Sequence, residues 1–110
     1  MIEGVMTTEE KAICSIAPVT STGKPAILDG IPTWVAEDPS GILGPLVVSA
    51  DGMSCEVPSA DEVTGTGAIV TVLADADLGD GVVTITEGFI FTVNHAMATS
   101  LRGGIQVVSK

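Results

Sequence analysis

Apolar and polar residues alternate along several short stretches of the chain, which is the pattern of β-strands with one buried face. In the clearest stretch the two faces would be Ala68, Val70, Val72 and Ala74 against Ile69, Thr71 and Leu73. Similar alternation predicts further strands at 12–17, 31–36, 46–49, 54–57, 82–93 and 105–108. A sustained helical period is not seen, so the pattern predicts an all-β fold.

Turn-forming residues separate these stretches. Glycine and proline together number nineteen, 13 Gly and 6 Pro, and Asp51-Gly52 is a pair favoured in tight hairpins. Short strands at this spacing indicate an antiparallel β-sandwich of about seven strands. We expect a loose lead-in at 1–10 and one domain over 11–110, with 98–110 as an edge or exchanged strand. The inward faces predict a core of Cys14, Ile16, Trp34, Val47, Val70, Val72, Phe89, Phe91 and Val93.

The chain is strongly acidic, with 14 acidic and 4 basic residues among 110 and a formal net charge of −10. So few basic residues disfavour nucleic acid and anionic membrane surfaces as partners. No run approaches the 18 apolar residues of a membrane-spanning helix, so no membrane insertion is expected. The N-terminal residues lack the pattern of a secretory signal. We therefore expect synthesis in the cytoplasm, with export only as part of an assembly such as a virion.

Segment 75–81, DADLGDG, has a composition shared by calcium loops and tight hairpins. An EF-hand loop needs oxygen ligands at positions 1, 3 and 5, glycine at 6 and glutamate at 12. Counted from Asp75, position 5 is Gly79 and position 12 is Thr86, so the register fails. A hairpin turn without a cofactor is the preferred interpretation. The alternative is calcium bound by the carboxylates of Asp75, Asp77 and Asp80.

Several motifs occur in a fixed order between residues 10 and 101. They are KAICSIAPV, GKPAILDGIPTW followed by EDPSG, ADGMSCEV, GTGAIVTVLADADLG and FIFTV. In this order they resemble bacterial immunoglobulin-like domains, the Big family of surface adhesins and phage structural proteins, and most closely small single-domain phage-encoded versions. The resemblance implies an immunoglobulin-like sandwich that serves as a binding or structural module without catalysis. The usual first strand is missing before Ala12 in this reading.

Candidate reactive residues are few. In antibody-type domains a disulfide joins the two sheets against a tryptophan, but Cys55 comes one strand too early to form it with Cys14. An immunoglobulin-like order would instead place the two cysteine strands side by side, as buried or half-buried free thiols. With His95 as the single histidine, the spacing matches no zinc motif. His95 is expected to be an exposed connector residue, and no enzyme is expected.

Apolar residues also alternate onto the outward face. Three strands that would be neighbours contribute an apolar patch, which is typical of a contact surface, unless residues 1–10 or the tail cover it. The tail would pair with the sheet edge left by the missing first strand, in the same or another chain. We expect a structural or interaction module that self-associates or contacts a virion or other protein. The alternative is a carbohydrate- or calcium-binding module using the acidic loops. The predicted interface residues are Val35, Ile69, Leu73, Ile90, Leu101, Ile105 and Val107.

Overall fold

A computed structural model describes residues 1–77, 82–96, 101 and 103–110. Across these residues every regular element is a β-strand, so the predicted all-β class is confirmed. No helix capable of crossing a membrane occurs in the described ranges. The strands are β1 (Ile2–Thr7), β2 (Lys11–Ser15), β3 (Thr33–Glu37), β4 (Val47–Val48), β5 (Ser54–Pro58), β6 (Gly65–Asp77) and β7 (Val82–Asn94).

The strands form two sheets, one in the order β1-β7-β6-β3 and the other in the order β2-β5-β4. All neighbouring pairs are antiparallel except β1 and β7, which run parallel. Side chains from both sheets meet in one apolar core, as in a β-sandwich. The buried core residues are Met6, Cys14, Trp34, Ile42, Cys55, Val57, Ala68, Val70, Val72, Phe89, Phe91 and Val93.

The predicted core is confirmed except at two positions. Ile16 is half-buried and packs against the core from its edge. Val47 was wrongly predicted: its side chain is 56% exposed. The register explains the error, because Val47 lies opposite Glu56 in β5, on the face turned away from the other sheet. Leu46 contacts the core in its place.

The prediction of a loose lead-in at 1–10 is wrong, because β1 pairs with β7 from Ile2 opposite Phe89 to Thr7 opposite Asn94. Gly4 explains why the strand was missed, since a glycine interrupts the apolar alternation. It lies opposite Phe91, and a Cβ at Gly4 would come within 2.7 Å of the Phe91 ring atom Cε1. The glycine therefore leaves room for a large core ring beneath the edge strand.

The tail, residues 101–110, lies within segment 98–110, which was predicted as an edge or exchanged strand replacing a missing first strand. The first strand is present as β1, beside β7, and the described tail residues pair with neither sheet, so pairing within the chain is not confirmed. Residues 101 and 103–110 belong to no strand, including the predicted 105–108, whereas 98–100 and 102 lie outside the described residues. The apolar side chains of Leu101, Ile105 and Val107 are exposed. Pairing with another chain stays a prediction.

Trp34 of β3 packs within its own sheet through its ring and reaches the other sheet through its indole N–H. The ring stacks on Phe89 of β7 with centroids 6.0 Å apart. Its Nε1 donates a 2.8 Å hydrogen bond to the carbonyl oxygen of Gly52, in the predicted turn between β4 and β5. Gly52 has a φ of 72°, and a Cβ there would lie 2.6 Å from Cγ2 of Ile31. The Asp51-Gly52 turn therefore needs glycine both for its conformation and for close packing.

Candidate functional site

The hairpin of β6 and β7 is much longer than the sheet that covers it. Each of its strands has 13 residues, whereas β2 and β5 have five each and β4 has two. The pairing of β6 with β7 continues without a register shift from Ala68–Phe91 to Asp77–Val82. One end of the hairpin therefore extends past the second sheet.

The two halves of the hairpin differ in how their inner face is covered. In the half beneath the second sheet, Phe89, Phe91 and Val93 alternate inward on β7 and are buried. The same alternation continues to Ile85 and Val83, which are 43% and 54% exposed. Their inward orientation follows from strand periodicity, and their exposure follows from the missing layer above them.

On the β6 side, a connecting segment covers the same end of the hairpin. Leu28 bridges to Ala76, and the backbone N–H of Asp29 donates a 2.7 Å hydrogen bond to the carbonyl oxygen of Asp75. Ala74 and Ala76 are consequently buried. At this end of the hairpin, the exposed apolar surface therefore lies on β7 and the residues beside it.

An open apolar cavity of about 320 Å³ lies at this end of the sandwich, and we call it the groove. Ile85 and Phe89 of β7 line it together with Val72 and Ala74 of β6. Ile2 of β1 and residues 15–19, from the last residue of β2 onward, also line it. Among its described lining residues Glu87 is the one that carries a charge. An apolar cleft with a single carboxylate suits an apolar partner that carries positive charge.

The four predicted patch residues lie on one face of the four-stranded sheet, and we call them the outer patch: Val35, Ile69, Leu73 and Ile90. Ile69 lies directly opposite Ile90 across β6 and β7, as predicted for neighbouring strands. Val35 and Leu73 are exposed and the two isoleucines are half-buried. Residues 1–10 do not cover this face, because β1 lies beside β7 in the same sheet.

Sequence reasoning missed Val5, which β1 adds to the same outward face. It lies opposite Thr92 of β7, next to the pair formed by Glu3 and Ile90, and it is well exposed. The sequence signal for this strand was the alternation of outward Val5 with inward Met6. Gly4 interrupts that apolar pattern, so the strand was not recognised. The outward apolar surface therefore continues from β3 across the sheet to β1.

Cys14 and Cys55 lie directly opposite each other in the pair of β2 and β5, so the predicted placement in one sheet is confirmed. Both are buried free thiols. Burial, with a smaller effect of the neighbouring Cys55, raises the pKa of Cys14 from 9.0 to about 11. Burial also raises the pKa of Cys55. Neutral thiols of this kind pack as small apolar side chains and are poor nucleophiles.

The calcium alternative involved Asp75, Asp77 and Asp80. Asp75 is exposed on β6, and its Oδ1 accepts a 2.7 Å hydrogen bond from Oγ1 of Thr84. Asp77 opposite Val82 is the last described pair of the hairpin. Residues 78–81, on which the turn interpretation falls, and the side chain of Asp77 lie outside the described residues. Among the residues that the structure does describe, no group of three potential metal ligands is found.

The remaining candidate residues are distributed over the core and the surface. His95 is exposed just after β7, as predicted. Trp34, Phe89 and Phe91 are all the aromatic residues of the chain, and all three are buried. None of them is therefore presented on the surface as a platform on which a sugar ring could stack.

Comparisons of the chain with protein-family models, with curated proteins and with solved structures gave no match. Function must accordingly be inferred from the chemistry of this chain. Its distinguishing features are the groove, the outer patch and the exposed apolar tail.

Proposed function

We propose that this chain is a non-catalytic structural and interaction module with an immunoglobulin-like fold. The module self-associates and serves as a phage-derived virion or assembly protein. The observation that carries the proposal is the exposed apolar surface of the four-stranded sheet, centred on the outer patch. Contiguous apolar surface of this kind is characteristic of protein contact sites.

The strand order supports the immunoglobulin-like assignment. In such domains the second, fifth and fourth strands share one sheet, and the third, sixth and seventh share the other. The orders β2-β5-β4 and β7-β6-β3 match this arrangement. Trp34 on β3 is buried against the opposite sheet, as the tryptophan of antibody domains is. A departure is β1, which pairs with β7 rather than with β2.

The relationship to the Big family and the phage origin rest on the ordered motifs between residues 10 and 101. A virion or assembly role fits a small acidic domain whose two thiols are withdrawn from solvent. Both thiols are buried with raised pKa values. The proposal of a non-catalytic role rests on this withdrawal together with the exposed apolar surface.

The composition of the outer patch supports direct contact with another β-sheet surface. Val35, Ile69 and Ile90 are β-branched residues with few rotamers, which lose little side-chain entropy when they are buried. Glu37 lies opposite Ile69, and Glu3 lies opposite Ile90. Carboxylates thus flank the apolar centre, in the manner of an interface with a polar rim.

The test is the mass of the purified chain by light scattering on a sizing column. Wild type is expected above the single-chain mass of 11.1 kDa, and Val35→Lys/Leu73→Lys is expected to have a lower mass than wild type. The matched control is Ile13→Lys, because Ile13 is an equally β-branched, exposed residue on the outward face of the other sheet. A wild type that stays at 11.1 kDa at every concentration would refute self-association. Equal losses in both variants would refute the role of the outer patch.

A further inference from the structure

We infer that the groove binds the tail of a second copy of this chain, with Ile105 and Val107 inserted against β7. The inference rests on the proposed function, because it names the donor and the acceptor of one self-association contact. It assigns a partner to the half of the hairpin that the second sheet leaves uncovered.

The groove has the size and lining of an acceptor for aliphatic side chains. Its volume of about 320 Å³ corresponds to roughly ten water molecules at ~30 Å³ each. Ile85 lies on one side and Val19 on another, and both are substantially exposed. Apolar side chains placed between them would remove this surface from water.

The tail has the matching pattern. Ile105 and Val107 are 93% and 90% exposed, and two residues apart in an extended chain they point to the same side. In the same extended chain Val108 points to the opposite side, so its substitution serves as a control for those of Ile105 and Val107. Gly103 and Gly104 precede them and allow the segment to change direction freely.

Charge favours this tail over an arbitrary apolar peptide. Residues 1–87 contain all 14 acidic residues and two of the four basic ones, which gives a formal charge of 2 − 14 = −12. The tail contains Arg102 and Lys110 and no acidic residue, a formal charge of +2. Glu87 places a carboxylate at the groove itself. The tail is therefore a basic apolar segment and the groove an apolar cleft on an acidic body, and the two are complementary.

The geometry of β7 favours a second copy as the donor. The groove lies against Ile85 and Phe89, whereas β7 ends at Asn94, towards the opposite end of the hairpin. The last strand before the tail therefore ends away from the groove. The apolar side chains of the tail extend into solvent in the single chain, where they are available to another copy.

The experiment mixes two full-length variants. Every chain carries Val35→Lys/Leu73→Lys, so that mass reports tail binding without the outer patch. The groove variant adds Ile85→Lys and the tail variant adds Ile105→Ser/Val107→Ser. The matched controls are Val83→Lys, on the same face of β7 but outside the groove, and Val108→Ser. All these positions are exposed, so the fold tolerates the changes.

The parent chain is expected to associate, and each variant alone is expected to fall to 11.1 kDa. A mixture of the two is expected to give a mass of two chains, since it restores one intact groove and one intact tail. Both controls are expected to keep the parent mass. The mixture distinguishes tail binding from general loss of solubility or fold.

Four outcomes would overturn the inference. If wild type associates but the parent chain is monomeric, self-association stands and the tail contact fails. If the groove and tail variants keep the parent mass, neither the groove nor the tail mediates the association. If the chain is monomeric but Ile105→Ser/Val107→Ser shifts the NMR signal of the Ile85 methyl group, the groove binds the tail of its own chain. If wild type itself is monomeric, the proposed function fails as well.

Discussion

The two halves of the β6–β7 hairpin have the same alternation and opposite surroundings. In the half farther from the turn, Val70 and Phe89 pair across the strands and are buried beneath the second sheet. Towards the turn, Ala74 and Ile85 pair in the same way, yet Ile85 is largely in solvent. Alternation therefore determines which face a residue occupies, whereas the length of the opposing strands determines whether that face is covered.

This difference gives the halves separate roles. The covered half supplies core residues that stabilise the domain, such as Phe89, on which Trp34 of the neighbouring β3 stacks. The uncovered half supplies an apolar surface that folding leaves unused, including the groove. Substitutions in the first should change stability, whereas those in the second should change association.

The largest expected effect is at the covered half. Trp34→Ala should lower the free energy of unfolding by about 3–5 kcal/mol, because it leaves a large cavity in the core. It also removes the donor to the Gly52 carbonyl. Ile85→Ala, measured beside it by urea denaturation, should cost about 1 kcal/mol or less, since its side chain is already partly in water. Equal losses for the two variants would contradict the difference between the halves.

A smaller loss is expected at the turn that accepts the Trp34 hydrogen bond. Gly52→Ala should cost about 1–3 kcal/mol, through overpacking against Ile31 and the positive φ. Gly23 has a similar φ of 82° but no neighbour within 4 Å of an added Cβ. Gly23→Ala should therefore cost only the backbone strain, about 1 kcal/mol. Thermal denaturation of both variants checks this, and a Gly23→Ala loss as large as that of Gly52→Ala would contradict the packing argument.

The buried thiols also contribute a pH dependence, which is confined to alkaline pH. In the unfolded chain Cys14 ionises near 9.0, and in the folded protein near 11. Between these values the unfolded state binds fewer protons, so stability falls as pH rises from about 9 to 11. This loss should be reduced in Cys14→Ala, as measured by urea denaturation across that range.

Thiol labelling compares buried core positions with the uncovered half of the hairpin. Cys14 and Cys55 should react with a thiol reagent at neutral pH only as the protein unfolds, because both are buried. A cysteine introduced as Ile85→Cys should react in the folded protein. Rapid labelling of the native pair in folded wild type would contradict their burial.

Most of the fold could be predicted from local patterns. The strands containing Trp34, Val70 and Phe91 were found because each alternates cleanly and faces the opposite sheet. β1 was missed because Gly4 accommodates the ring of Phe91, a long-range contact that the sequence of β1 does not reveal. Val47 was misplaced because a two-residue strand has too few positions to establish its face.

The candidate site was predictable only in part. The outer patch followed from alternation, since Ile69 and Ile90 lie on adjacent strands. The groove could not be predicted, because it depends on the relative lengths of strands in different sheets. β2 ends at Ser15, whereas β6 and β7 of the other sheet extend past it. The tail was recognised as apolar from its sequence, but its described residues belong to no strand, and the first strand that it was expected to replace is present as β1.

The most direct measurement is light scattering on a sizing column for wild type and Ile105→Ser/Val107→Ser, across a concentration series in calcium and again in EDTA. We expect wild type to exceed 11.1 kDa, the tail variant to have a lower mass, and neither to respond to EDTA. A calcium-dependent mass would instead support the metal alternative at segment 75–81. Identical masses for wild type and the tail variant, or a wild type that stays at 11.1 kDa throughout, would contradict self-association through the tail.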